Sequence, residues 1–303
     1  MSNKPDYTGL LLIDKVSGPT SHDVVATLRR LLGVRRIGHC GTLDPLATGL
    51  MILCVGAYTR LNPWLSATDK EYVATLVFGA TSNTGDAEGQ IEPRSTPPIP
   101  SAADIDKVLC QFEGKIEQVP PAFSAIKVGG VRSHKLARAG KQPELKARKV
   151  RIDKIELISY AYPSLQIRVR CSKGTYIRSL AMDIGDLLGC GAYLGSLRRT
   201  AIGSMSIDNA LGLDDIQGHI DAKTLDDQFL DPRFALPDLQ HVRLSSEGLV
   251  RFGHGNRIDL TGVAGEYAVY SEEGDLCGIG RCEDEQLQPT IVLRQPEQGC
   301  SQV

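Results

Sequence analysis

No run of 18 or more apolar residues occurs in the 303-residue sequence, so no segment is expected to cross a bilayer as a helix. The eight cysteines, at 40, 54, 110, 171, 190, 277, 282 and 300, form no C-x-x-C pair. The two closest, Cys277 and Cys282, have no histidine partner at zinc-site spacing. There is no G-x-x-x-x-G-K-[ST] loop to cradle a nucleotide phosphate, and no G-x-G-x-x-G after a strand to hold a dinucleotide. No internal repeat appears at the periods that build solenoids. The opening MSNKPDYTGLLLIDK is too polar, and its apolar patch too short, to read as a signal peptide. These absences predict a cytoplasmic protein with reduced thiols and with no metal, cofactor or membrane partner.

What is present predicts a sizeable core. Hydrophobic residues make up 42% of the chain, and the length fits one large domain plus a small one. The net charge of −2 conceals an asymmetry. Residues 1–207 carry 27 Lys and Arg against 18 Asp and Glu, whereas residues 208–303 carry 7 against 18. Segment 115–151 concentrates the positive charge, with ten basic and two acidic residues. It lacks the interspersed acids that would lace a solvated helix with i,i+4 pairs. Clustered Lys and Arg without acids collect phosphates, so the segment reads as a polyanion-binding arm.

The patterning alternates between helix and strand. TGLLLID (8–14) and MILCV (51–55) are short apolar strands, and EYVATLVFG (71–79) alternates as a half-buried one. SHDVVATLRRLL (21–32) places Val24, Val25, Leu28, Leu31 and Leu32 on one helical face, with Ser21 expected as its cap and Gly33 as its stop. Residues 81–100 read as loop and Pro-rich connector, and 101–114 as an amphipathic helix ended by glycine. VRIDKIELISY (150–160) and LQIRVRCSKG (165–174) alternate as an antiparallel pair, followed by a helix over 177–189. Hairpins mixed with helices predict α+β rather than a doubly wound sheet. Beyond 237–241, short strands separated by Gly and acidic turns predict a small β-rich domain.

The densest segment is RIGHCGTLDPLATGLMILCVGAYTR (36–60), which sets Asp44 in a Gly/Thr/Pro-rich turn before an apolar run. Taken alone, Asp44-Pro45 fits an ordinary type I turn, with Asp first and Pro second. The glycines at 38, 41 and 49 fit a sharply turning loop or one that a ligand approaches closely. The pattern G-H-x-G-T-L-D-P-x-A-x-G also resembles the catalytic motif of pseudouridine synthases, in particular the TruB family. Further blocks resemble the same family in the same order: GLLLIDKVSGPTSHDVV (9–25), DKEYVATLVFG (69–79), PPAFSAIKVGGVRSHKLARAG (120–140), CSKGTYIRSLAMDIG (171–185) and GAYLGSLRRTAIG (191–203). The resemblance covers roughly residues 9–235.

The resemblance implies a catalytic domain over 1–238 with a mixed, largely antiparallel sheet and an RNA-gripping insertion at about 115–151. A PUA-like domain would follow over 239–303. Asp44 is the implied catalytic residue. His39, Tyr72, Tyr176, Arg178, Leu197 and Lys15 are the implied substrate-binding residues, and Lys127, Arg132, Arg138 and Arg148 the implied RNA contacts of the arm. Tyr72 would stack on the target uracil, Tyr176 wall the pocket, and His39 fill the space left by an extruded base. Taken without the resemblance, the tyrosines read equally as strand or core aromatics, His39 as a loop histidine and Arg178 as a solvated cation. Arg178 falls in the first turn of a helix, where a cation opposes the macrodipole unless an anion faces it, and Asp44 is the candidate. Val16 stands where the family usually has Pro, and Phe123 and His134 where Tyr is common.

The implied reaction is conversion of uridine 55 in the T loop of tRNA to pseudouridine, without cofactor or metal, by a monomer with no obligatory protein partner. A non-catalytic RNA-binding protein and a guide-RNA-dependent enzyme are the rival readings.

Overall fold

The computed structural model describes residues 7–124, 126–141 and 143–293, the side chain of His134 lying outside that description. The expected end of the small domain, 294–303, also lies outside the described residues.

The chain builds two sheets. Along the first half run β1 (Gly9–Lys15), α1 (Ser21–Leu32), β2 (Ile37–His39), β3 (Thr48–Val55), β4 (Lys70–Phe78), α2 (Ala102–Gln111) and β5 (Gly114–Gln118). Then come β6 (Arg148–Ala161), β7 (Ser164–Cys171), α3 (Ile177–Leu187), β8 (Ala192–Ile202) and β9 (Leu211–Gly212). The first sheet has ten strands, its main path running β9-β1-β3-β8-β4-β7-β6-β5. Only β9–β1 and β3–β8 are parallel along that path, so the sheet is mixed and largely antiparallel. The five-stranded second sheet uses β10 (Gln240–Arg243), β11 (Ile258–Asp259), β12 (Gly265–Tyr270), β13 (Leu276–Glu283) and β14 (Gln286–Val292).

Strand periodicity decides what covers each face. In β1 and β3, Leu11, Ile13, Met51 and Leu53 pack against α1, while Leu10, Leu12, Leu50 and Ile52 pack against Ala268, Tyr270 and Ile279 of the second sheet. Both faces are therefore buried, which is why these strands read as continuous apolar runs. In β7 only one face is covered: Leu165, Ile167 and Val169 meet α2 and α3, while Arg168 and Arg170 are exposed. Each buried Leu, Ile or Val contributes about 1.5–3 kcal/mol of transfer free energy.

Two separate cores thus share one face of the large sheet, one under α1 and one under α2 and α3. Tyr72 of β4 and Leu197 of β8 pack against both. The candidate site lies at that junction. At the parallel joint of β3 and β8 a Cβ on Gly49, where φ is +106°, would lie 2.3 Å from the Arg199 carbonyl oxygen. Glycine is required there for the two strands to meet.

Local details depart from the sequence reading. The cap of α1 is Thr20, locked to Asp23 in a reciprocal capping box. Ser21 is instead buried, its hydroxyl bonded to both the carbonyl and the amide of Leu43. Gly33 does end α1, in the left-handed conformation. The helix α2 stops at Gln111, ahead of Gly114. Residues 80–82 and 91–93, read as loop, pair as a small hairpin. The sequence reading assigns no helix to Asp215–Ala222 or Ser246–Gly253, each only eight residues long.

Candidate active site

Asp44 lies in the loop between β2 and β3, and that loop is fastened from several sides. A turn bond from the Ala47 amide to the Asp44 carbonyl (3.1 Å) closes Asp44–Ala47, in keeping with Asp and Pro at its first two positions. Leu43 and Ala47 are both buried in the core beneath α1. The Ser21 hydroxyl ties down Leu43, and the Gly18 amide donates to the Pro45 carbonyl at 2.9 Å. Lys15, expected among the substrate-binding residues, is buried. Its ammonium donates to the carbonyls of Val16, Pro45 and Ala47 at 2.9, 3.1 and 2.6 Å. Its positive charge thus supports the loop from behind, and burial lowers its pKa while Glu88 and Asp44 oppose that shift.

Arg178 enters from the first turn of α3 and is 6% exposed. Its Nη2 stands 3.0 Å from Asp44 Oδ2 and donates to the Phe123 carbonyl at 2.9 Å. Its Nη1 stands 3.3 Å from Asp86 Oδ2 and donates to the Thr84 carbonyl at 3.2 Å. One guanidinium therefore joins α3 to the Asp44 loop, to the 83–88 loop and to the start of the basic arm. The two carboxylates differ in environment. The Asp86 side chain is 5% exposed and that of Asp44 is 42% exposed. Asp86 is further held by the Thr84 hydroxyl (2.6 Å) and the Glu88 amide (3.1 Å).

The surrounding protein raises the Asp44 carboxyl above its ordinary value by desolvation, with Arg178 pulling it down and Asp86 pushing it up. Burial likewise raises the phenols of Tyr72 and Tyr176. Asp44 acts electrostatically on both, so the two tyrosines lie near the Asp44–Arg178 pair. Tyr176 immediately precedes α3, and the Gln118 side chain clamps its backbone, accepting from the amide at 2.8 Å and donating to the carbonyl at 3.1 Å. His39 ends β2 with its ring edge-on to His22, at a centroid distance of 5.6 Å. Burial and the nearby His22 and Arg199 lower its pKa, which keeps the imidazole neutral at pH 7.

Lys127 and Arg132 face each other across the hairpin Lys127–Val128 and Val131–Arg132, Arg138 ends the helix Ser133–Arg138, and Arg148 opens β6. All four are exposed, and none forms an ion pair among the described residues. Arg148 also lowers the Tyr176 phenol electrostatically, so the base of the arm adjoins the site. Among the described residues no group of three or more His, Cys, Asp or Glu is placed to hold a metal ion. No described helix is long and apolar enough to cross a membrane.

Family models cover nearly the whole length. The TruB family pseudouridylate synthase N-terminal domain matches residues 29–177. The tRNA pseudouridylate synthase B C-terminal domain matches 178–237, and the pseudouridine synthase II TruB C-terminal model matches 241–293. A protein named tRNA pseudouridine synthase B from Mycobacterium sp. (strain KMS) is 39% identical over 292 residues, which is 94% of this chain and 96% of that one. The chain belongs to the TruB family of pseudouridine synthases.

Its activity is accordingly that of an isomerase. A second protein named tRNA pseudouridine synthase B, from Opitutus terrae, is 46% identical over 71% of this chain and 89% of its own length. The fold is also that of the matching chain in a crystal structure of a Cbf5-Nop10-Gar1 complex, with TM-score 0.75 and 24% identity over 95% of this chain and 85% of that one.

Asp86 and Arg199 were missed by sequence reading. Asp86 sits in a polar turn, TSNTGDAEGQ, whose composition gives no sign of a buried acid. The turn is folded back onto β8 by backbone bonds from Leu194 to Gly85 and from Ala87 to Leu194, both 2.9 Å. The arrangement yields a direct test. Asp86→Asn removes the charge that pushes the Asp44 carboxyl up and leaves Arg178 with Asp44 as its remaining carboxylate. The Asp44 titration, followed by carboxyl 13C NMR, is expected to move to lower pH. Loss of a charge-assisted bond to a buried cation should also cost about 1.5–3 kcal/mol in urea unfolding. An Asp44 titration that stays put or rises would show that the two acids are not coupled through Arg178.

Proposed function

We propose that this TruB-family chain converts uridine 55 in the T loop of tRNA to pseudouridine, acting alone, with Asp44 as the nucleophile. The observation that carries this reading is a half-exposed carboxylate held 3.0 Å from a guanidinium that is itself buried. The isomerisation breaks the C1′–N1 bond, turns the uracil and makes a C1′–C5 bond; C5 gives up its proton and the freed N1 takes one up, so substrate and product have the same formula. Asp44 forms an ester at C1′ or adds to C6 of the ring, and either route splits one hard step into two. Both need the ionised form, which the Arg178 charge favours against the desolvating surroundings.

The other residues take complementary parts. Tyr72, at the junction of two cores, stacks on the uracil. Tyr176 walls the pocket, Leu197 contacts the substrate, and the neutral His39 occupies the space of the extruded nucleotide. Lys15 serves the reaction by fixing the Asp44 loop. Flipping a base out of its stack costs a few kcal/mol, which favours a loop uridine over a duplex one. The relatives' name supports tRNA as the substrate, and the exposed cations of the arm, without an ion pair among the described residues, supply phosphate contacts without a guide RNA. A cytoplasmic location accords with this substrate.

Pseudouridine mapping of an unmodified tRNA transcript tests the assignment. Wild type should yield one new pseudouridine in the T loop, and Asp44→Ala should yield none while still binding tRNA. No product from wild type, with tight binding by both, would instead favour an RNA-folding or guide-dependent protein. For the arm, each of Lys127→Ala, Arg132→Ala, Arg138→Ala and Arg148→Ala should weaken tRNA binding. Each should also flatten its log–log salt dependence by about one unit per lost phosphate contact. Unchanged slopes would make the arm a solvated surface.

A further inference from the structure

Two adjacent arginines on β8 face opposite ways. Arg198 points outward and forms an ordinary surface ion pair with Asp14 at 2.7 Å. Arg199 points inward, is 1% exposed and ranks among the largest fully buried side chains. None of the ion pairs among the described residues includes it. Desolvating a guanidinium with no carboxylate partner is expensive, and an apolar side chain of similar volume would ordinarily pack there at less cost. What the charge touches is therefore informative.

Its Nε donates to the Leu50 carbonyl at 2.7 Å and its Nη2 to the Gly41 carbonyl at 3.2 Å. Gly41 precedes Asp44 and Leu50 follows it, so one side chain holds both ends of the nucleophile's loop. Arg199 is also the cross-strand partner of Tyr72 in the β8–β4 register, on the same face as Leu197 and Ala74. The Arg199 charge acts on the Tyr72 phenol and lowers it against the burial that raises it.

We propose that Arg199 is a positioning residue of the isomerisation: it ties both ends of the Asp44 loop and sets its charge beside Tyr72 on the neighbouring strand. The charge serves a second end, because a cation beside the phenol favours loss of its proton and counters the burial that opposes it. This inference rests on the functional reading above for its catalytic meaning, but its physical core is testable without substrate.

The experiment places 3-fluorotyrosine at position 72 alone and follows its 19F titration in wild type, Arg199→Met and Arg199→Lys. Removing the cation should move the Tyr72 titration to higher pH, and Arg199→Lys should bring it most of the way back. In single-turnover assays on tRNA, Arg199→Met should slow isomerisation about 100-fold, the scale of losing a preorganised donor, while tRNA affinity holds. If Arg199→Met does not fold, Arg199→Gln keeps a donor for Leu50 while removing the charge and the Gly41 bond, so it carries the same titration comparison. A Tyr72 titration unchanged in the charge-free variant would overturn the proposal. A rate loss matched by an equal loss of tRNA binding or of folded protein would overturn it too, leaving Arg199 a structural strut. A wild type that shows the titration difference against the variant but makes no pseudouridine would sink the functional reading and leave the geometry standing.

Discussion

The Arg178 guanidinium is the point at which the separate parts of the site become one object. Four acceptors from three loops converge on it: Asp44, Asp86 and the carbonyls of Thr84 and Phe123. None of those loops is fixed by the sheet alone at these positions. A planar fork can address two acids and two carbonyls at once, which the single ammonium of lysine cannot. The two acids divide the work by their exposure. Asp86, buried, compensates the cation, so breaking the Asp44 contact would not strand an uncompensated buried charge.

This arrangement depends on where the sheet puts it. The face that carries β4 and β8 is covered by α1 on one side and by α2 and α3 on the other, and the candidate site lies at the seam between those two cores. Tyr72 and Leu197 gain rigidity from both. The Asp44 loop, by contrast, contains little regular structure. It is held by side chains reaching in from elements on either side: Lys15 from β1, Ser21 from α1 and Arg199 from β8. Precise placement of a reactive group on a loop generally needs such a supporting layer. Here that layer is largely made of cations donating to backbone carbonyls.

The apolar periodicity made the strands and helices around the seam legible, because their core faces differ so sharply from their outer ones. The antiparallel pair over 150–160 and 165–174 and the helix from 177 follow the alternation closely. The family motifs named Asp44, Tyr72, Tyr176 and Arg178, and the fold sets the two tyrosines near the Asp44–Arg178 pair. What stayed hidden was decided by tertiary contact. Thr20 caps α1 instead of Ser21 because Leu43 claims the Ser21 hydroxyl. Arg198 and Arg199 are the same residue type in adjacent positions, and only strand register sends one to water and the other beneath the Asp44 loop. Asp86 looked like any loop acid until a buried arginine met it.

The central claim is that a fixed guanidinium fork, and not merely a nearby positive charge, prepares Asp44. Single-turnover isomerisation of a tRNA transcript by Arg178→Lys, measured beside its tRNA affinity, tests this most directly. Lysine keeps the charge and loses the fork. The account predicts a rate reduced by about 100-fold or more, the scale set by removing preorganised donors, with tRNA binding retained. A lysine variant that isomerises at close to the wild-type rate would contradict it.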